Sequence, residues 1–520
     1  MVAGSGAAPA GCLGRPGMLI GQAGMPDWLP MAESMAESGG GLPGGWAWDE
    51  RTLRAAAHRV AELAADHIVG LPEGPVFRPV PGELAERWRG ETWAAGGAGI
   101  EELLAELEHD VLRFPFGNGH PRFHAWVNSP PDRVALLVDL LASAADPSCA
   151  GGNHAALHIE RLVIRWLADM VGLPATAGGL LVSGGSMATV TALAAAREAH
   201  APFDVRADGL AGGPPLTVYA GAEAHSAITK AVELLGLGRR NLRLVASGPG
   251  RRLDASLLDR ALQAAGRGPE HPIAVVASAG TTSTGAIDPL DEIADVCARH
   301  DVWLHVDGAY GAPAILTERF RGDLAGLARA DSVAVDPHKW LYVPVDAGAL
   351  LVRDPERLRD AFSLVPAYLR VQHGPAGVSD APWVSEYGPE QTRPFRALRV
   401  WAALKSTGRD GYRRLVDRDL DLAGTLAARV REHPSLELDA AGLSVVCFRY
   451  RAAAESDRVQ SDIARRIQLG GRSFLTTTEL DGRTVLRACF INPLTTELDV
   501  DTLVGLVTSI GGTTVIPDPQ

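Results

Sequence analysis

Lysine is scarce in this chain. Lys230, Lys339 and Lys405 are the three lysines among 49 cationic residues, and the rest are arginine. A lysine kept against that bias is a candidate for use as an amine, because arginine neither deprotonates near neutral pH nor forms an imine. Lys339 closes the run Val335-Asp336-Pro337-His338-Lys339, directly before Trp340. Four other groups have types that fit beside it. Ser183-Gly184-Gly185-Ser186 leads into a helical pattern from Met187 to Glu198. Free N–H groups at such a helix start, with glycines that permit close approach, make an anion site. His225 offers an aromatic ring, and Gly280-Thr281-Thr282-Ser283 offers hydroxyls. Asp307 ends the apolar run of His305-Val306-Asp307-Gly308-Ala309-Tyr310, where a buried carboxylate needs a cationic partner.

Each of these has an ordinary reading when taken alone: a Gly-rich turn, a capping histidine, a hydroxyl turn. The glycine pair lacks both the Gly-Lys-Ser/Thr of a Walker loop and a full GxGxxG. Together they are the parts that hold pyridoxal 5′-phosphate: a phosphate cradle, a carboxylate for the ring nitrogen, an aromatic ring and an amine for the aldehyde. The protonated pyridine then takes up the electrons left when a bond at an amino-acid Cα breaks.

The elements that must position these residues alternate between helix and short apolar strand from about 126 to 405. Strands are expected at 180–183, 216–220, 242–246, 272–278, 302–307, 332–336 and 347–352. Between two of them a helix is signalled by Asp288 as cap, Pro289 in the first position, Asp291 and Glu292 at the N-terminal end, and Arg299 and His300 at the other. Alternation of this kind implies a mainly parallel sheet covered on both faces, with ligands at the carboxyl ends of its strands. Every candidate above follows such a strand. Residues 46–125 read as a helical segment too thin to bury its own core, carrying apolar stripes at Leu53, Ala57, Val60 and Leu63 and at Leu103, Leu104, Leu107 and Val111. Residues 406–520 read as a smaller α+β domain, with helices at 412–432, 456–468 and 496–509 and strands at 443–450 and 484–491. The stretch 370–392 reads as a long functional loop, and 1–45 as a disordered leader or a mis-called start, with Met31 and Met35 as alternative initiators.

Bulk properties narrow the class. A net charge of −13 argues against nucleic-acid or anionic-membrane partners. Five widely spaced cysteines without CxxC spacing fit reduced thiols and a cytoplasmic protein, with no metal site expected.

On Pro337-His338-Lys339-Trp340 and His305-Val306-Asp307-Gly308-Ala309-Tyr310 the chain resembles the group II pyridoxal-phosphate decarboxylases, which include aromatic-L-amino-acid, histidine and glutamate decarboxylases. The resemblance runs from about Trp46 to the C-terminus. It implies a fold-type I architecture, aspartate-aminotransferase-like, with a large mainly parallel seven-stranded sheet domain, a C-terminal α+β domain and an N-terminal dimerisation segment. It implies that Lys339 forms the imine, that Asp307 partners the ring nitrogen, and that Ala309 and His225 take the two ring faces. Gly185, Ser186 and His338 would contact phosphate, and Thr282 would lie beside the ring oxygen. Tyr368 would sit on a mobile loop and help protonate Cα after CO₂ leaves, whereas relatives with Phe there tend to make aldehydes with O₂. Arg122, His124, Trp126 and Ser129 would line the substrate pocket. The expected activity is decarboxylation of an L-amino acid, an aromatic one among the candidates, by a homodimer. The alternatives are an oxidative aldehyde-forming enzyme, a decarboxylase of an acidic or aliphatic amino acid, and a non-catalytic cofactor-binding regulator. Arg487 is expected to pair with a nearby acid. Asp336 departs from the Asn of many relatives and is expected to turn away from the phosphate or pair with a cation.

Overall fold

All seven apolar runs of the central region form strands, and they lie in one sheet of the computed structural model, which describes residues 44–364, 383–452 and 456–513. They are β1 (Gly178–Val182), β2 (Leu216–Gly221), β3 (Leu242–Val245), β4 (His271–Ser278), β5 (Trp303–Asp307), β6 (Ser332–Val335) and β7 (Gly348–Val352). The spatial order is β1-β7-β6-β5-β4-β2-β3. Only β7 runs antiparallel to its neighbours, and the other paired strands are parallel. Central strands such as β4 to β7 are almost wholly buried, as expected where helices cover both faces. One hydrophobic cluster lies on each face. The first includes Val275, Leu304 and Val333, and the second includes Ala274, Val276 and Trp303.

The helix after β4 starts one residue later than its sequence signals imply, at Leu290, with Pro289 in the cap position. Asp288 does not cap it. Its carboxylate accepts the backbone N–H groups of Leu253 and Ser278, both at 2.7 Å, and so ties the end of β4 to a neighbouring loop. Two buried donors from elsewhere in the chain outcompete a local cap. Burial pushes this carboxyl up, against the pull of those two hydrogen bonds.

The C-terminal domain carries a four-stranded antiparallel sheet in the order β10-β11-β9-β8. Its strands are β8 (Leu436–Gly442), β9 (Val445–Tyr450), β10 (Thr476–Leu480) and β11 (Arg483–Cys489). Sequence reading found β9 and β11 and missed the other two. β10 reads Thr-Thr-Thr-Glu-Leu and offers no apolar alternation, while β8 is mostly half-buried. The helix Arg396–Glu432 links the domains and breaks at Gly408, whose φ of 68° only glycine adopts readily. That break lies near the domain boundary expected at 405.

The N-terminal segment forms helices Glu50–Gly70, Gly82–Gly90 and Ile100–Glu106. Much of its apolar stripe faces outward: Leu53, Val60, Leu103, Leu107 and Val111 are exposed in the single chain. The helix Arg133–Ala145 shows the same, with Leu137 at 60% and Leu141 at 61% exposure. Exposed apolar side chains of this kind are candidates for an interaction surface.

Candidate active site

Asp307, the last residue of β5, pairs in register with Ser278 on one side and Ala334 on the other. The loops after β4, β5 and β6 therefore begin at one level, at the carboxyl ends of parallel strands. They open on a cavity of about 860 Å³ whose lining includes Gly185, Ser186, His225, Thr282, Asp307, Ala309, His338 and Lys339. The structure thus brings together all eight residues expected at the cofactor.

Lys339 stands on a tight turn. Its N–H donates to the Asp336 carbonyl at 2.9 Å, and the Tyr342 N–H donates to the Lys339 carbonyl at 3.2 Å. Trp340 Nε1 and the Tyr342 hydroxyl both donate to Asp419 Oδ2, at 2.8 and 2.6 Å. Trp340 also stacks on Tyr310 with ring centres 5.0 Å apart. Burial pushes the Asp419 carboxyl up to about 7 despite those two hydrogen bonds. The backbone on the C-terminal side of Lys339 is anchored in the core while the amine lines the cavity.

The amine has company. Lys339 Nζ lies 2.9 Å from Asp336 Oδ2. Burial alone would push the amine down, but the Asp336 and Asp307 carboxylates and the hydrogen bond with Asp336 outweigh it and hold the amine above its ordinary value. Asp336 thus pairs with a cation, and that cation is the lysine itself.

Three features fit pyridoxal phosphate. A Cβ at Gly185 would fall 2.9 Å from Ala309 Cβ, so the backbone at this helix start must stay bare, as close approach of a phosphate requires. Asp307 accepts the Ala309 N–H at 3.2 Å, and no side chain donates to it among the described residues, which leaves acceptor capacity for a ring N–H. His225 accepts the Ala227 N–H on Nδ1 at 3.1 Å, leaving an exposed ring on the cavity wall. His338 is held by the Ala347 carbonyl, 2.7 Å from its Nδ1.

The expected substrate residues divide. Trp126 lines the cavity, with a φ of 49° and its ring stacked on Phe116 at 5.3 Å. Arg122 and His124 do not line it in this chain. Their backbone joins the C-terminal domain: Phe474 N–H donates to the Arg122 carbonyl at 3.0 Å, and His124 N–H donates to the Phe474 carbonyl at 2.7 Å. That pairing sends Arg122 toward Asp499 (3.5 Å) and packs the fully buried His124 ring against Phe490. Ser129 is also off the cavity and donates its hydroxyl to the His338 carbonyl at 3.3 Å. Tyr368 lies outside the described residues.

Arg487 corrects the sequence reading. It meets no acid. Nε donates to the Thr282 carbonyl and Nη1 to the Trp126 carbonyl, both at 2.9 Å, and Nη2 is buried without a partner. One side chain on β11 thereby ties the loop after β4 and the Trp126 turn to the C-terminal domain. That domain also supplies a polar wall that sequence reading missed, including Ser461, Gln468, Thr476 and Thr478. No sequence signal marks these residues, because only the docking of the two domains turns them toward the cavity.

Comparison with known proteins agrees with this chemistry. Residues 94–451 match the pyridoxal-dependent decarboxylase conserved domain. The aromatic-L-amino-acid decarboxylase of Bacillus atrophaeus is 34% identical over 452 residues, covering 85% of this chain and 92% of that protein. The L-2,4-diaminobutyrate decarboxylase of Rhizobium meliloti is 35% identical over 408 residues, covering 77% and 80%. Among solved structures, Oryza sativa TDC with PLP and tryptamine superposes with a TM-score of 0.83 at 29% identity, covering 89% of this chain and 98% of that one. Mouse CSAD does so with a TM-score of 0.82 at 27% identity, covering 89% and 99%. The strand-end cavity with its lysine and the family match lead to one conclusion: the chain belongs to the pyridoxal-dependent decarboxylases and is a fold-type I, pyridoxal-phosphate-dependent carboxy-lyase of amino acids.

Proposed function

We propose that Lys339 is the residue that holds the cofactor aldehyde and yields it to the amine of an L-amino acid. The observation that carries this reading is a half-buried amine 2.9 Å from Asp336 in the cavity that Asp307 also lines. The cofactor supplies an electron sink for the bond broken at Cα. The chain's own residues do the rest. The Gly185 and Ser186 backbone and His338 hold the phosphate. Asp307 keeps a proton on the ring nitrogen by presenting a carboxylate to it. Ala309 and His225 bound the two faces of the ring, and Thr282 lies beside them. Arg487 keeps the Thr282 and Trp126 segments in place. Tyr368 is the proposed proton donor to Cα. Lys339→Ala should abolish CO₂ release, and borohydride reduction of the wild type should fix cofactor mass on the peptide carrying Lys339. Ordinary turnover by that variant would overturn the assignment.

The substrate reading follows from the wall. Trp126 offers one exposed aromatic face, while Ser461, Gln468, Thr476 and Thr478 offer hydrogen bonds. This supports an amino acid whose side chain carries a polar group, either on a ring that stacks on Trp126 or without one. The second reading, a non-aromatic substrate, is favoured by that polar wall and by the likeness to a diaminobutyrate decarboxylase. CO₂ release from a panel of aromatic, acidic, basic and branched L-amino acids decides between them.

The exposed stripes of the N-terminal helices and of Arg133–Ala145 support a homodimer. A monomer by light scattering at micromolar concentration would contradict it. No helix among the described residues is long and apolar enough to cross a membrane. The free, buried thiols of Cys149, Cys297, Cys447 and Cys489 support a cytoplasmic location, which cell fractionation tests.

A further inference from the structure

We propose that Asp336 is a positioning residue for Lys339: its carboxylate is the counter-charge that keeps the free Nζ as an ammonium, so the amine becomes available to an aldehyde only as pH rises. The proposal rests on the reading of Lys339 as the aldehyde-holding residue.

The geometry leaves the carboxylate little choice. Asp336 is held in place by its own N–H, which donates to the Ala309 carbonyl at 3.1 Å, and by the turn that its carbonyl closes with the Lys339 N–H. Its side chain is 2% exposed, Oδ2 meets Lys339 Nζ at 2.9 Å, and Oδ1 is buried without a partner. His338 Nε2 is 3.7 Å from Oδ2, beyond hydrogen-bond reach. Among the described residues, Lys339 is therefore the one cation in hydrogen-bond contact with this carboxylate. A half-buried ammonium is costly without a counter-charge, and the buried Asp336 carboxylate supplies one, which favours the amine's charged form.

The other charged and titratable groups around the cavity do not displace this pair: Arg465, which also lines it, is bound to Asp462 at 2.7 Å. Asp307 lies on the same cavity and adds negative potential at the amine. Arg487 is committed to two backbone carbonyls, and the Tyr310 hydroxyl is 2.6 Å from Ser444 Oγ. His225 is engaged on Nδ1 by a backbone N–H. An amide at position 336 would keep the shape and remove the charge. Desolvation would then dominate at Lys339 and push the amine down.

The consequence concerns the nucleophile. To form a C–N bond, Nζ must first give its extra proton to solvent and present a lone pair. The two hydrogens remaining on nitrogen then leave with the aldehyde oxygen as water. A counter-charge that stabilises the ammonium makes the first of these events rarer at neutral pH.

The chain's three lysines make the test clean. The cofactor-free full-length protein is labelled with trace acetic anhydride between about pH 7 and 10, and the rates at Lys339 and at the exposed Lys230 are read by peptide mass spectrometry. In the wild type, the Lys339 rate should keep rising about tenfold per pH unit without levelling off before that of Lys230. In Asp336→Asn the profile should shift to lower pH by at least about one unit, with roughly tenfold more labelling near pH 7. The visible absorbance that grows when pyridoxal phosphate is added should lose its pH dependence in parallel. The proposal is overturned if the wild-type profile at Lys339 levels off below that of Lys230, a measurement that needs no variant. It is also overturned if the substitution leaves the profile unmoved. If the labelling profiles behave as expected but neither protein gains visible absorbance or cofactor mass at Lys339, the reading of Lys339 as cofactor anchor fails while the pairing stands.

Discussion

Two ion pairs of similar chemistry sit in contrasting places. Arg393 and Glu160 join the end of β1 to the neighbouring helix Ala155–Met170, with side chains 1% and 4% exposed. Arg393 also donates to the Cys149 and Leu181 carbonyls, and Glu160 accepts the Leu181 N–H. Arg54 and Glu50 form a pair on the N-terminal helix at 72% and 79% exposure, one turn apart and touching nothing else of note. The same contrast holds for apolar side chains. Leu181 in β1 is fully buried, whereas Leu137 and Leu141 stand in the open. Around β1 the large domain buries both members of its ion pair together with its apolar side chains. The N-terminal segment and the helix Arg133–Ala145 leave apolar side chains exposed in the single chain.

That contrast can be broken at several points. The largest effect belongs to the buried pair. Arg393→Met leaves the Glu160 carboxylate buried without its cation and should cost about 3–5 kcal/mol in urea unfolding. A double change with Glu160→Gln should recover a substantial part of it, and additive losses would show that the two residues do not act as a pair. Next comes the open face. Leu137→Glu places a charge on the surface read as a subunit interface, so light scattering should show dissociation at micromolar concentration with little change in the monomer's helix content. A change in folding without a change in mass would argue that the face packs within its own chain.

A smaller effect concerns acid. Burial pushes the His120, His124 and His305 imidazoles down to about 4 each. A histidine whose folded value is depressed takes its proton more readily when unfolded. Stability should therefore fall as pH drops from about 6.5 toward 4 and flatten below that. Among the described residues, His124 has no hydrogen-bond partner on either ring nitrogen. His124→Leu should then reduce the acid slope by about one proton, and an unchanged slope would remove this histidine from the account. The smallest effect sharpens the other side of the comparison. Arg54→Ala should change stability by less than about 1 kcal/mol, the ordinary worth of an exposed pair.

The sequence was most legible where a short-range signal coincided with burial. The seven strands of the large sheet are short apolar runs bounded by breakers, and each appears within a residue or two of its expected limits. Lys339, Asp307, Gly185 and His225 could be singled out because each ends or follows such a strand. The sequence was least legible where a partner arrives from afar. Asp288 looks like a helix cap until the N–H groups of Leu253 and Ser278 reach it. Arg487 looks like half of an ion pair until two carbonyls from different segments claim it. Arg122 and His124 looked like pocket residues until their backbone paired with Phe474.

By itself, then, the sequence determined the strand–helix alternation, the candidate for the reactive amine and the set of groups that could serve a pyridine aldehyde. Those properties depend on side-chain chemistry and on periodicities of a few residues. Tertiary structure alone decided that Asp336 faces Lys339, that Arg487 ties three segments together, and that a row of threonines from the C-terminal domain lines the cavity. Those contacts depend on strand register and domain docking, which bring together residues that have no local reason to meet.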